Sequence, residues 1–297
     1  MKCLVLGAAG YIGRHLAAAL RAQGHQVVAA PSRSGPAQSR VDIGDTGTLT
    51  RLDWSVDVVF LFAGVTGTAA SFKNHEGYVL GNEMGLLNVL ESIRLSGHRP
   101  RLVFPSSRLV YKGSKLPLSE TAELEARTVY AANKIACEFH LRAFSNAFDI
   151  PHTIFRVCVP YGNSQGSEYS FGTVGNFIKQ ASETRRISLY GDGSLRRTFT
   201  HIDDVCNFMA LAAASADFEN GTFNVPGDDL TLLEAAGLIG ARLGAEIAFT
   251  PWPPFDLRIE SGSTVLDGSK TQSRLPSMVA RKMAQWAATI SAQRTGG

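Results

Sequence analysis

The chain has 297 residues, of which 44% are apolar and 19% charged, and its formal net charge is +3. This balance is typical of a folded globular protein and excludes a disordered chain. Basic residues occur in ones and twos, which excludes the concentrated positive surface that nucleic-acid-binding or membrane-surface proteins use. No apolar run approaches ~18 residues, and a strand begins within two residues of Met1, so we expect a cytoplasmic protein without a membrane span or signal peptide.

In chain order, the first half alternates short apolar segments with helical patterns. Continuous apolar segments predict buried strands at 2–7, 26–30, 57–62, 101–104 and 150–159. Helices are predicted over 11–25, 78–96 and 128–148. The alternation predicts an α/β fold with a Rossmann-type doubly wound parallel sheet.

After Tyr161 the sequence changes character. Glycine and serine are frequent between 162 and 175, the strands shorten, and PWPP interrupts the chain at 251–254. We therefore predict a nucleotide-binding domain over 1–160 and a smaller α/β substrate domain over 161–297, whose segments are free to interleave. The four cysteines lie far apart, which predicts reduced thiols and no metal site.

The first strand runs into GAAGYIG at 7–13, which places Gly7, Gly10 and Gly13 between a strand and a helix. Glycine at these positions allows a tight turn, close approach of the backbone to a pyrophosphate, and packing of helix against strand. Tyr11 and Ile12 open the helix, whose N-terminus favours an anion. A turn without a ligand is the alternative, but the strand–turn–helix context favours a dinucleotide.

The end of the second strand bears on which dinucleotide is bound. A cofactor with a free 2′-hydroxyl usually meets an acidic residue there, whereas this chain reads AAPSRS at 29–34. Ser32 and Arg33 are suited to a 2′-phosphate, which slightly favours NADP over NAD. A solvated role for Arg33 remains open. Asp42 and Ile43 are expected near the adenine.

The reacting groups are predicted from two further segments. Tyr130 and Lys134 are four residues apart in YAANK, so both project from one face of a helix. An ammonium and a positive nicotinamide favour the phenolate, which then exchanges a proton with an alcohol during hydride transfer. Ser106 and Ser107 end the strand of VFPSSRLVY, at the sheet edge where such folds bind ligands.

These segments together resemble the extended short-chain dehydrogenase/reductase family, and within it the sugar-nucleotide epimerases, dehydratases and reductases. SSRLVY, YAANK and NHEGYVLGNEMG at 74–85 are similar to family motifs, and the resemblance covers nearly the whole chain. It implies that Ser107, Tyr130 and Lys134 are catalytic. It also implies that Ala63 and Asn82 flank the cofactor, whose nicotinamide ribose Lys134 holds.

The second half extends the resemblance to the substrate. FRVCVPYGN at 155–163 and the stretch from 177 to 205 are similar to family segments that bind a nucleoside diphosphate sugar. The resemblance implies that Arg197 and Arg258 hold the diphosphate, and that Ser106, Ser107 and Val159 contact the sugar. Val159 replaces the family's asparagine, and Thr198 its aspartate. The Asp-Glu pair of the dehydratases is replaced by Arg108 and Leu109, which argues against dehydration.

The predicted function is an NAD(P)-dependent sugar-nucleotide epimerase that transfers a hydride at a ring carbon, C4, through a keto intermediate. An NADPH-dependent 4-ketoreductase is the alternative, favoured by the missing acid after the second strand. A non-catalytic NADP-sensing protein is less favoured because all three catalytic residues are present. A homodimer is expected through the helices at 78–96 and 128–148, with Leu86, Leu90, Ala131, Ala132 and Ala136 suited to the shared face.

Overall fold

The computed structural model describes residues 1–31, 40–163 and 172–290. In chain order, the strands are β1 (Lys2–Leu6), β2 (Gln26–Ala30), β3 (Val58–Leu61), β4 (Arg101–Ser107), β5 (His152–Val157), β6 (Val159–Tyr161), β7 (Arg186–Tyr190), β8 (Arg196–His201), β9 (Gly221–Asn224), β10 (Asp228–Thr231) and β11 (Glu246–Thr250). The α-helices are α1 (Tyr11–Ala22), α2 (Thr46–Leu49), α3 (Ala70–Lys73), α4 (His75–Tyr78), α5 (Gly85–Ser96), α6 (Val129–Phe148), α7 (Gly172–Thr184), α8 (Ile202–Ala213), α9 (Leu232–Leu243), α10 (Pro254–Ile259), α11 (Ser269–Arg274) and α12 (Met283–Ala287).

A six-stranded sheet in the order β2-β1-β3-β4-β5-β9 forms the centre of the molecule, and every neighbouring pair in it is parallel. Apolar residues of α1 and α8 pack on one face, and those of α5 and α6 on the other. Burial on both faces explains why the central strands are continuously apolar. The predicted Rossmann-type fold is confirmed.

The strand order reverses beside β1, because β2 lies on one side of it and β3 on the other. Loops that leave the carboxyl ends of strands at such a point diverge, and the crevice between them is where open α/β sheets bind ligands. The loops after β1 and β3 begin at Gly7 and Phe62. The fold therefore places the predicted glycine loop at this crevice.

The smaller part of the molecule contains two short sheets, β10-β8-β6 and β11-β7. Residues of α7, α9 and α12 share an apolar cluster with β6, β7 and β8. The chain then returns, because α8 packs on the large sheet and β9 forms its edge beyond β5. Segments after residue 160 thus contribute to both parts of the molecule, and the division into two domains stays a prediction.

Three predicted elements differ clearly from those observed. The helix expected over 78–96 is divided into α4, a π-helical turn at Val79–Met84 and α5. The strand expected over 150–159 ends at Val157, and the chain continues as β6 beside β8. Strand β4 is longer than predicted and includes Ser106 and Ser107. Among the described helices, none is long and apolar enough to cross a membrane.

Candidate active site

A cavity of about 340 Å³ opens at the carboxyl ends of β1, β3 and β4. Its walls come from the start of α1, the loop after β3, the end of β4 and the first turns of α6. The sequence-predicted residues that line it are Gly10, Tyr11, Ile12, Gly13, Ala63, Asn82, Ser106, Ser107, Tyr130 and Lys134. Residues that are far apart in the sequence are thus brought to one place.

The glycine loop has the geometry that a dinucleotide requires. Gly7 has φ +83°, and a Cβ atom there would lie 2.5 Å from the carbonyl carbon of Phe62 and against the amide of Ala63. A Cβ atom on Gly13 would collide with the carbonyl oxygen of Gly7. Helix α1 begins after Gly10 without a capping side chain or an acidic residue in its first turn. The N-terminus of α1 therefore suits the negative charge of a pyrophosphate.

A second cavity, of about 450 Å³, adjoins the first and shares Ala63, Gly64 and Val65 with it. Its lining includes Asp42 and Ile43, the residues expected near the adenine. The two spaces together suit the extended shape of a dinucleotide. Ser32 and Arg33, on which the choice between NAD and NADP depends, lie outside the described residues.

Asn82 holds the loop that joins the two cavities. Its Oδ1 atom accepts a hydrogen bond of 2.9 Å from the amide of Val65, and its Nδ2 group donates to the carbonyl oxygen of Val65 at 3.1 Å. Asn82 lies in the π-helical turn, and π-helical turns often occur at functional sites. A sequence pattern of period 3.6 does not distinguish such a turn from an ordinary helix.

Tyr130 and Lys134 lie in the first turns of α6, whose N-terminus is capped by the hydroxyl of Thr128 on the amide of Ala131 at 3.0 Å. The Lys134 ammonium donates to the carbonyl oxygen of Pro105 at 2.7 Å. Burial lowers the pKa of Lys134 to about 8. Burial also raises the pKa of Tyr130 above its ordinary value, while a hydrogen bond from Ser107 lowers it.

The two serines at the end of β4 have different partners. Ser107 lies beside Tyr130 and its oxygen accepts from the amide of Leu109 at 3.2 Å. The hydroxyl of Ser106 instead donates to Glu138 at 2.6 Å in a buried contact. Of the two, Ser107 is therefore the serine whose hydroxyl lies beside that of Tyr130.

Tyr78 and Glu138 contact residues that line the cavity, and the sequence reasoning left both without a role. The hydroxyl of Tyr78 donates to the carbonyl oxygen of Thr66 at 2.7 Å, and its ring stands edge-on to that of Tyr130 with centroids 6.4 Å apart. Glu138 is fully buried beneath the end of β4. In the sequence, Glu138 could have been found by its spacing of four residues from Lys134, which places both on one face of α6.

The predicted substrate residues of the smaller part are not among the residues that line the described cavity. Arg197 is buried and bound to Glu260 at 2.7 Å and to the carbonyl oxygen of Gly262 at 2.6 Å. Burial and the neighbouring charge of Arg108 lower its pKa to about 10. Val159 and Arg258 are likewise not among the lining residues of that cavity. Their contact with substrate stays a prediction.

The buried Lys134 predicts a pH dependence of stability. Its pKa is about 8 in the folded protein, against an ordinary value of 10.5. Between these values the unfolded chain binds a proton that the folded chain does not, so stability rises with pH. In denaturant titrations from pH 8 upward, the free energy of unfolding of wild type should increase relative to that of Lys134→Met. A constant difference between the two proteins across this range would contradict the assigned environment.

Comparison with known proteins agrees with this geometry. The model of the NAD dependent epimerase/dehydratase family matches residues 3–225. The chain is similar to the UDP-glucose 4-epimerase of Mycolicibacterium smegmatis, with 29% identity over 96% of this chain and 93% of that protein. The solved UDP-glucose 4-epimerase of Thermus thermophilus, in complex with NAD, has a TM-score of 0.86 and 24% identity over 100% of both chains.

A third similar protein is a solved variant of the UDP-glucuronic acid 4-epimerase of Bacillus cereus, in complex with NAD and a fluorinated substrate analogue. It has a TM-score of 0.81 and 25% identity over 97% of each chain. The family match covers the glycine loop, the end of β4 and the Tyr130–Lys134 pair. The chain belongs to the NAD dependent epimerase/dehydratase family, a group of enzymes within the extended short-chain dehydrogenases/reductases.

Proposed function

We propose that this enzyme is a sugar-nucleotide epimerase that acts at a ring carbon, C4, of a nucleoside diphosphate sugar through a keto intermediate. The observation that carries the proposal is the meeting of Ser107, Tyr130 and Lys134 at the inner wall of the cofactor cavity. The relatives named above are 4-epimerases, which supports C4 as the reacting carbon.

Each of the three residues has a distinct part in the reaction. A bound nicotinamide supplies a hydride acceptor and donor next to the sugar. Tyr130 removes the proton of the sugar hydroxyl and later returns it. Ser107 donates a hydrogen bond to the same oxygen, and Lys134, held by Pro105, stabilises the phenolate by its charge.

The lining of the cavity favours epimerisation or reduction over dehydration. Elimination of water needs an acid and a base beside the tyrosine, yet no Asp or Glu lines the described cavity. After Ser107, the side chain of Arg108 turns to the hydroxyls of Ser261 and Thr264, at 3.4 and 3.2 Å. We therefore assign the acid/base role at this wall to Tyr130.

A 4-ketoreductase that consumes NADPH is the second candidate. It is favoured by the sequence at the end of β2, where Ala30 and Pro31 are followed by Ser32 and Arg33 without an acid. The reaction differs in that the cofactor must leave after each turnover. The same reacting residues serve both reactions.

The nucleotide released from denatured protein should separate the two candidates. For an epimerase we expect NAD in near one-to-one amount, because the cycle regenerates the oxidised cofactor on the protein. Mass and absorbance of the released nucleotide provide the measurement, and turnover of UDP- and dTDP-sugars follows. Protein that is empty and binds NADPH over NADH, with Arg33→Ala abolishing the preference, would favour the reductase.

We further propose a homodimer through α5, α6 and the π-helical turn. Leu86 and Leu90 belong to the core of the chain, so they are not free for a partner. Met84 in the π-helical turn and Phe139 on α6 are 43% and 56% exposed. Sedimentation should therefore show a dimer that Phe139→Glu converts to monomer, and a monomeric wild type would exclude this interface. A cytoplasmic location stays a prediction.

A further inference from the structure

A buried carboxylate lies one helical turn beyond Lys134. The Oε1 atom of Glu138 accepts a hydrogen bond of 2.6 Å from Ser106. Arg156 on β5 approaches the same carboxylate with two groups, Nε at 2.9 Å from Oε1 and Nη2 at 2.6 Å from Oε2, while Arg142 reaches it at 3.4 Å. Paired donors of this kind fix both the position and the charge of a carboxylate.

Arg156 is held on its other sides as well. Its Nη1 group donates to the carbonyl oxygen of Glu120 at 3.0 Å, and the guanidinium lies 4.6 Å from the centre of the Tyr111 ring. Ser106 and Arg156 are direct neighbours across the β4–β5 pair. The carboxylate of Glu138 therefore joins helix α6 to two adjacent strands.

The elements joined in this way carry all three reacting side chains. Ser107 follows Ser106 on β4, and Tyr130 and Lys134 lie on α6 before Glu138. A second link between the elements is the bond from Lys134 to the carbonyl oxygen of Pro105. Successive residues of β4 are thus tied to α6 immediately before Ser107. Glu138 itself is not among the residues that line the described cavity.

The negative charge of Glu138 also supports the reacting groups, because it favours the protonated form of Lys134. Lys134 must stay protonated to stabilise the phenolate, although burial disfavours its charge. Cys137 and Glu138 partly oppose the effect of burial on the pKa of Lys134. Arg156 balances the charge of Glu138, so the pair is tolerated in the core.

We propose that Glu138 is a positioning residue: through Ser106 and Arg156 it holds the end of β4 against α6, so that Ser107 and Tyr130 meet the same substrate oxygen. Ser106 is then part of this support and does not contact the sugar. The inference rests on the proposed function for its activity measurements, and on the fold alone for its exchange measurement.

Ser106→Ala is the first test, because it removes one hydrogen bond and leaves the ion pair intact. We expect kcat to fall about tenfold or more, since small misplacements of reacting groups are costly, while KM stays within about twofold. Ser92→Ala is the matched control, because the Ser92 hydroxyl bonds to a backbone carbonyl on α5 away from the cavity. A raised KM at unchanged kcat would show that Ser106 binds substrate and would overturn the proposal.

Amide hydrogen exchange gives a reading that needs no substrate. In Ser106→Ala the segment 105–111 should exchange at least about tenfold faster, while β2 and the Ser92→Ala protein stay unchanged. Unaltered exchange there would overturn the positioning role even if no sugar nucleotide is turned over. Conversely, the exchange in Ser106→Ala could be faster while wild type turns over no sugar nucleotide. That result would support the positioning role and exclude the proposed reaction.

Glu138→Gln tests the charge, because glutamine retains an acceptor oxygen for Ser106. We expect kcat to fall at least as far as in Ser106→Ala. The alkaline limb of its pH profile should also move to lower pH, because Lys134 loses a neighbouring negative charge. A folded Glu138→Gln protein with unchanged kcat would overturn the proposal. If the variant does not fold, the two measurements on Ser106→Ala decide.

Discussion

Tyr130→Phe is expected to lower kcat by about 10²- to 10⁴-fold, the range in which general acid–base catalysis contributes. The phenyl ring fills the same buried space and keeps its edge contact with Tyr78, so the fold and the cofactor cavity persist. The substitution removes the hydroxyl to which the proposed mechanism assigns the proton transfer. Steady-state turnover and cofactor affinity, measured on the same preparation, provide the test.

Tyr190→Phe is the matched control for this substitution. This substitution also removes a tyrosine hydroxyl, but at a site outside the cavity. The Tyr190 ring lies on β7 beside Trp252, and 46% of the residue is exposed. The variant should retain the wild-type kcat. If Tyr130→Phe turned over substrate at the wild-type rate, another group would have to move the proton and the proposed mechanism would be wrong.

Gly7→Ala is expected both to destabilise the protein and to abolish tight cofactor binding. The backbone at φ +83° disfavours a side chain, and the new methyl group would overlap the backbone of the loop after β3. Overpacking costs about 1–3 kcal/mol, in addition to about 1–2 kcal/mol for the left-handed conformation. Displacement of that loop also alters both cavities, since Ala63 lines each of them.

Gly24→Ala separates the cost of overpacking from the cost of the left-handed backbone conformation. Gly24 has nearly the same backbone angle, φ +80°, but apart from its two chain neighbours no described residue has an atom within 4 Å of the position that a methyl group on Gly24 would occupy. Chemical denaturation of both variants should therefore show a smaller loss of stability for Gly24→Ala and an unchanged cofactor Kd. Equal losses in the two proteins would mean that the contact with the β3 loop contributes nothing.

The sequence predicts those features of the site that depend on short local patterns. The glycine spacing, the strand end at Ser107 and the Tyr130–Lys134 pair each depend on a few neighbouring residues and a fixed periodicity. Because parallel strands bring their carboxyl ends to one edge, the meeting of these segments at one cavity also follows from the fold.

The contacts that sequence did not predict depend on the tertiary arrangement. Nothing near Ser106 indicates that its hydroxyl binds Glu138, thirty-two positions away, and nothing near Arg197 indicates its pairing with Glu260. The π-helical turn at Val79–Met84 is likewise not predicted, because the sequence pattern of an ordinary helix is also compatible with it. Long-range polar pairs lack the periodicity on which sequence patterns rely.

The return of the chain to the large sheet makes the two parts of the molecule inseparable. Helix α8 covers the face of the sheet on which α1 packs, and β9 covers the edge of β5. A fragment that ends at residue 160 would expose that apolar face and leave β5 as an open edge, which favours aggregation. Exchanging the smaller part as a module would therefore also remove α8 and β9 from the large sheet, so we expect new substrate preferences to arise by local substitutions.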